Sequence, residues 1–170
     1  MKNKIVVSDT TAITHLARID ALHIIQQLYS AIYIPEAVYN ELTARGDKIP
    51  GAKEARSFPW IKTQKVINVE RVQALSRYID LGESEAIALA QEIGADLLII
   101  DEKVGRMHAK SAGLEITGMI GILLMAKERN IIPKVRPFLD KLISTRFKLG
   151  IKLYNQALSI AGEHGEIKKA

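Results

Sequence analysis

The chain has 170 residues, 48% of them hydrophobic, and no cysteine, with a formal net charge of +5. That length and apolar content suffice to bury one substantial core, and the absence of cysteine excludes disulfides, zinc–thiolate sites, iron–sulfur clusters and thiol nucleophiles. The longest apolar runs, Leu97 to Ile100 and Met119 to Ala126, fall far short of the roughly 20 residues that span a bilayer. No signal-peptide pattern opens the chain, so a soluble, cytoplasmic protein without membrane contact is expected. The positive charge favours a polyanionic partner but is equally a solubility charge.

In chain order, the β-branched run Ile5-Val6-Val7 stops at Ser8-Asp9-Thr10-Thr11, residues suited to a turn and a helix N-cap ahead of Ile13, Leu16 and Ala17. A strand leading into a helix is predicted. Leu22, Ile25 and Leu28 mark a second helix, Ala31 to Ile34 a second strand, and Pro35 the first turn of a helix carrying Val38, Glu41 and Leu42. Arg45 to Pro50 reads as a loop, and Phe58 to Val69 as a mixture of strand and connection.

Gly82-Glu83-Ser84-Glu85 opens a helix that ends near Gly94, and Leu97 to Ile100, bounded by Asp96 and Asp101, reads as a buried parallel strand. Helices follow at Glu102 to Ala112, Met119 to Arg129, Pro133 to Thr145 and Ile151 to Ala161. The alternation predicts an α/β fold, a sandwich with a mostly parallel sheet, as a single domain over residues 1–162 with a frayed polar tail at 163–170.

Ligands of open parallel sheets bind beyond the carboxyl ends of the strands, where Asp9 and Asp101 fall. Glu83 and Glu85 lie in the first turn after Gly82, and Glu41 on the helix begun by Pro35. Convergence of these elements would gather four or five carboxylates, whose mutual repulsion a divalent cation relieves. Oxygen ligands without cysteine or a histidine pair suit Mg²⁺ or Mn²⁺, as one ion or as two about 3.5–4 Å apart, and the chemistry such a site serves is phosphodiester hydrolysis. Each acid also has an ordinary explanation: Asp9 and Asp101 as helix caps, Glu83 and Glu85 as partners of a helix dipole, Glu41 as a solvated surface residue.

The segments Ile5–Thr11, Ile34–Leu42, Gly82–Ala90 and Leu97–Asp101 resemble, in order, those of the PIN-domain superfamily, and more closely its DUF3368 group of predicted nucleic-acid-binding proteins. The resemblance runs through about residues 4 to 150. It implies a three-layer α/β/α sandwich, Mg²⁺ or Mn²⁺ on acidic residues, and endoribonuclease activity on RNA, with single-stranded DNA the other candidate substrate. It also implies a homodimer and, as in VapBC-type toxins, a toxin role with an antitoxin protein as partner. Asp9, Glu41 and Asp101 match the first, second and fourth acidic positions; the third falls on Glu83 or Glu85, with Glu85-Ala86 matching the usual Asp-Ala best. Glutamate where most members carry aspartate alters the reach to metal. Thr10 and Thr11 match a hydroxyl position beside the first acid, and Arg106 an arginine typical of the group. The preferred catalytic set is therefore Asp9, Glu41, Glu85 and Asp101, with Glu83 retained as a metal ligand.

Other chemistry is weakly represented. His15, His23, His108 and His164 lack a ligand spacing, Trp60 and Tyr78 read as packing residues ahead of base-stacking ones, and Lys141, Arg146, Lys148 and Lys152 are candidates for a basic patch. No Walker loop follows Gly118 or Gly121, and no Gly-x-Ser-x-Gly elbow occurs. Two other readings stand beside the nuclease: a non-catalytic PIN-like module binding nucleic acid or protein, and a phosphotransfer enzyme using Asp9, which Thr11 disfavours by occupying the second position of the expected Asp-x-Asp.

Overall fold

The computed structural model describes residues 3–163. Its five short strands are β1 (Val6–Ser8), β2 (Ile32–Pro35), β3 (Ile61–Gln64), β4 (Leu97–Ile99) and β5 (Ile116–Thr117), and they form one all-parallel sheet in the order β3-β2-β1-β4-β5. Parallel strands need crossover connections, and helices supply them: α1 (Thr10–Arg18) and α2 (His23–Tyr29) between β1 and β2, α3 (Glu36–Thr43) and α4 (Ala52–Ser57) between β2 and β3. α5 (Val69–Leu75) and α6 (Leu81–Glu92) join β3 to β4, and α7 (Lys103–Ser111) joins β4 to β5. After β5 come α8 (Met119–Glu128), α9 (Arg136–Ser144) and α10 (Ile151–Ile160). The architecture is the expected α/β sandwich.

Side chains alternate across a strand, so each central strand feeds two cores. Val6 and Ile99 enter one core with Ile13, Leu16, Val38, Leu123, Leu139 and Leu158, whereas Val7, Leu98 and Ile100 enter the other with Val72, Ile87, Leu89 and Ala109. The helices divide accordingly: α1 to α4 and α8 to α10 pack on the first face, α5 to α7 on the second. Right-handed crossovers require this division, because the chain steps outward from β1 to β2 and β3, then returns over β1 to β4 and moves the opposite way. The reversal lies between β1 and β4, and a crevice opens there above their carboxyl ends.

Several elements differ from the sequence reading. Pro35 ends β2 and flanks α3, which begins at Glu36. The ambiguous stretch after Phe58 contains β3, and α4 and α5 are short helices that sequence periodicity does not reveal. α9 starts at Arg136, later than Pro133, with Pro137 in its first turn, where a missing N–H is harmless. The two-residue β5 has no strand pattern of its own; it is defined by pairing with Leu98 and Ile99. Glu163, expected in the tail, is instead tied down: its carboxylate accepts hydrogen bonds from the amides of Val135 (2.7 Å) and Arg136 (3.1 Å) and from Lys127 Nζ (3.0 Å). The rest of the expected tail, 164–170, lies outside the described residues. Among the described residues, no helix is long and apolar enough to cross a membrane.

Leu98 is fully buried at the sheet centre, whereas Ile67 is 84% exposed. Leu98→Ala is expected to destabilise the fold by about 2–5 kcal/mol and Ile67→Ala by less than about 0.5 kcal/mol in urea denaturation. Equal effects would contradict the division of the cores.

Candidate active site

Ser8 pairs with Ile99 across β1 and β4, and the Asp9 amide donates to the Ile99 carbonyl at 3.1 Å. This register brings Asp9 and Asp101 to the same end of adjacent strands. Asp9 is only 2% exposed and its Oδ1 has no hydrogen-bond partner. It flanks α1, yet no side-chain hydrogen bond of normal geometry caps that helix. Asp101 is partly buried: its Oδ1 accepts from the Met119 amide at 3.0 Å, at the start of α8, and its Oδ2 is buried without a partner.

Glu83 supplies the third carboxylate. It is 7% exposed at the third position of α6, its amide donates to Asp80 Oδ1 at 2.8 Å, and its own Oε1 is buried and unpartnered. Close approach of α7 depends on Gly105, because a Cβ there would lie 2.8 Å from Glu83 Oε1 and from Ile100 Cδ1.

Glu85 goes elsewhere. Two residues along a helix turn the side chain by about 200°, so Glu83 and Glu85 cannot face the same point. Glu85 accepts a hydrogen bond from the Ala37 amide at 2.6 Å, placing its charge at the positive end of α3. The preference for Glu85 as the third acid therefore does not fit the structure, which brings Glu83 to Asp9 and Asp101.

Glu41 is exposed on the rim, where Thr10 Oγ1 donates to its Oε2 at 2.8 Å. Gly82 passes directly beneath, since a Cβ there would sit 3.0 Å from the same oxygen. Thr10, Thr11, Asp9, Glu41, Asp80 and Glu83 share an open cavity of about 380 Å³. Tyr78, 68% exposed, lines it as well and stacks on His108. Trp60, by contrast, is packed in the core beside Phe58. Arg106 Nη1 donates to the Ile100 carbonyl at 2.8 Å, and its guanidinium draws the Asp101 pKa down. Of the basic candidates, Arg146 and Lys148 reach a second cavity that also borders Asp101; Lys141 and Lys152 do not line it.

Asp80 escapes the sequence reading although it begins an Asp-x-x-Glu spacing with Glu83, a capping-box signature. The clearance provided by Gly82, Gly105 and Gly118 leaves no sequence signal, since it depends on packing partners distant in the chain.

The electrostatics follow from burial. Asp9 is raised well above the ordinary aspartate value by desolvation and by the charges of Asp101 and Glu83, against a smaller pull from the Ala12 and Thr11 amides. Glu83 is raised to about 7 by desolvation and then by Asp80, with Glu102 and Glu41 adding to it. Asp101 is also raised, by desolvation, with Met119 and Arg106 opposing. Three carboxylates thus sit where water cannot compensate their charge, and each leaves one buried oxygen unsatisfied.

A hard divalent cation fits that donor set. Among the described residues, no group of three or more acids or imidazoles is placed to hold a metal ion by itself. Mg²⁺ does not need such a group, because it keeps several waters and is commonly held by one or two carboxylates together with substrate phosphate. Asp9, Glu83 and Asp101 are the residues whose free oxygens suit such an ion, with Glu41 at the edge.

A family model described as a PIN domain, the DUF3368 group, matches residues 5–163, nearly the whole chain. No match was found among curated proteins.

Raised carboxylate pKa values have a defined consequence for the metal-free protein. Below about pH 4.5, Glu83 is protonated whether the chain is folded or not; between there and about pH 7 the unfolded chain releases the proton that the folded chain retains, so stability falls as pH rises. Denaturation midpoints in EDTA should therefore be lower at pH 8 than at pH 5, and Glu83→Gln should shrink the difference. An undiminished difference in that variant would remove Glu83 from the strained cluster.

Proposed function

The chain belongs to the PIN-domain family, in its DUF3368 group, and has the corresponding nuclease-type fold; from that premise we propose that it is an endoribonuclease dependent on Mg²⁺ or Mn²⁺, acting through Asp9, Glu83, Asp101 and Glu41. The observation that carries this reading is the trio of buried, unpartnered oxygens on Asp9, Glu83 and Asp101 at the sheet's reversal point. A module that only bound nucleic acid would gain nothing from such a cluster and would bear its destabilising repulsion.

When bound, the ion polarises the phosphodiester, lowers the pKa of water and neutralises the leaving oxygen. Asp9, Glu83 and Asp101 would hold it as carboxylates; burial raises all three pKa values, that of Glu83 to about 7, so metal affinity should rise with pH. Glu41, with one oxygen fixed by Thr10, orients the attacking water with the other. Water adds to phosphorus, the P–O bond to the leaving ribose oxygen breaks, and that oxygen departs with a proton. Arg106 steadies Asp101 through charge and grips the Ile100 carbonyl just before it. Glu85 has a structural part as the charged partner of the α3 N-terminus.

The reading is tested by incubating labelled RNA and single-stranded DNA with the protein in Mn²⁺, Mg²⁺ or EDTA. Cleavage is expected with either ion and none in EDTA. Asp9→Asn, Glu83→Gln and Asp101→Asn should each lower the rate at least about 100-fold, as expected for losing a main electrostatic element. Glu85→Gln should retain activity within a few-fold while losing about 0.3–1 kcal/mol of stability. Cleavage that survives EDTA or Asp9→Asn would sink the proposal, and loss of activity in Glu85→Gln with an intact fold would return that residue to the site.

A further inference from the structure

A cavity of about 770 Å³ lies beside the acidic one; Glu102 and Thr11 border both, and Asp101 lines the larger of the two. Its volume falls within the usual range for small-molecule sites, about 300–1,000 Å³. Its charge is shifted toward the positive. The acidic cavity collects Asp9, Glu41, Asp80, Glu83 and Glu102 against Lys103, whereas the larger one sets Arg106, Arg146 and Lys148 against Asp101 and Glu102. Arg146 and Lys148 are exposed and make no side-chain hydrogen bond or ion pair among the described residues, so their donors are available to a ligand.

Two glycines of its lining sit where packing leaves no room for a side chain. A Cβ at Gly118 would lie 2.6 Å from Asp101 Oδ1, and one at Gly121 would lie 2.2 Å from Thr117 Oγ1. One wall carries two rings, Phe147 and His15, in edge contact at 5.0 Å between centroids. Burial and the nearby Arg18 hold the His15 imidazole below its ordinary pKa, and its Nδ1 is buried without a partner. The wall is therefore aromatic and uncharged near neutral pH.

Arg146 also occupies an unusual place. It ends α9 with φ of +69°, closed by bonds from its own amide to the Ile143 carbonyl and from the Phe147 amide to the Leu142 carbonyl. This helix-ending geometry favours glycine or asparagine. The chain follows that preference after α6, α7 and α8, with Gly94, Gly113 and Asn130, and uses the short Asp20 and Ser30 after α1 and α2. Among the described residues, only after α9 does a long cation take the left-handed position, and the turn delivers Arg146, Phe147 and Lys148 together to the cavity.

We propose that this cleft binds the nucleotide next to the scissile phosphate of a single-stranded RNA, with Arg146 and Lys148 on its phosphate and the Phe147–His15 wall against its base. The proposal rests on the nuclease reading for the word scissile, but not for the binding. Phosphate paired with cations and a base stacked on an aromatic face are how single strands are held. With one phosphate in this cleft and the next beside Asp101, the strand is threaded across the acidic cluster.

The test is fluorescence anisotropy of labelled single-stranded RNA hexamers, with DNA hexamers as a second arm, on the full protein in EDTA so that nothing is cut. Arg146→Ala/Lys148→Ala is expected to weaken RNA binding at least about 10-fold and to make the slope of log K against log salt shallower by about 0.7 for each phosphate that the protein no longer neutralises. Phe147→Leu preserves an apolar side chain where this residue touches the core, and should weaken binding several-fold with the thermal midpoint nearly unchanged. Lys141→Ala/Lys152→Ala removes the same charge outside the cleft and should leave affinity within about two-fold. Equal weakening by the two double variants, or wild-type affinity in Arg146→Ala/Lys148→Ala, overturns the proposal, as does tighter binding of DNA than RNA or failure of the wild type to bind RNA. Cleavage in Mn²⁺ separates the two readings: cutting with unchanged KM by Arg146→Ala/Lys148→Ala rejects the cleft and leaves the nuclease. Cleft-dependent binding without any cutting rejects the nuclease and leaves the cleft as a strand-binding site.

Discussion

Like charges held side by side without water are the constraint on which this structure turns. The pairing of Ser8 with Ile99 leaves no freedom in where Asp9 and Asp101 emerge: Asp9 follows β1 directly and Asp101 lies one residue beyond the adjacent β4. Asp9 is buried, the charge of Glu83 reaches it from α6, and the two cores hold both strands from above and below. A cluster with this much repulsion persists only because the packing around it is worth more, and relaxation by separating the acids would require the β1–β4 ladder to slip. A one-residue slip would exchange the two faces of a strand and bury the wrong side chains in both cores.

The same topology explains why the acids meet. Parallel strands point all their carboxyl ends one way, and right-handed crossovers force helices onto opposite faces once the strand order reverses. At the reversal the connecting helices lie on opposite faces of the sheet, so side chains at the strand ends face a crevice. Asp9 and Asp101 come from the strands themselves. Glu83 and Glu41 come from the helices that border the crevice, and Gly82 and Gly105 set how closely those helices can approach, because a methyl group at either would press on a carboxylate oxygen.

Much of this is legible in the sequence, for identifiable reasons. The apolar runs before Asp9 and Asp101 mark buried parallel strands, and a carboxylate ending each one marks the crevice. Short elements are not legible: α4 has six residues, β5 has two, and their existence depends on partners far along the chain. The third acid illustrates a different limit. Glu83 and Glu85 have equally good claims by composition and position, and motif similarity favours Glu85. Helical geometry separates them, but only the placement of α3, with the Ala37 amide awaiting a charged acceptor, shows which of the two is used elsewhere. A residue's role here is set by what its neighbour in space lacks.

Asp101 lines the basic cavity and acts through its charge on Asp9 of the acidic one, so two kinds of surface adjoin there. On one side lie acids whose oxygens want a cation; on the other lie Arg106, Arg146 and Lys148, which want an anion. Arg106 acts on Asp101 through its charge while bonded to the Ile100 carbonyl, but Arg146 and Lys148 are held on the turn between α9 and α10 and make no ion pair among the described residues. Separation of this kind keeps both halves available to a ligand carrying the missing charges in the right order. The phosphodiester strand proposed here would do so: its phosphates would answer the basic side directly and the acidic side through a cation. The net charge of +5 says little alone; its distribution around one aspartate gives it meaning.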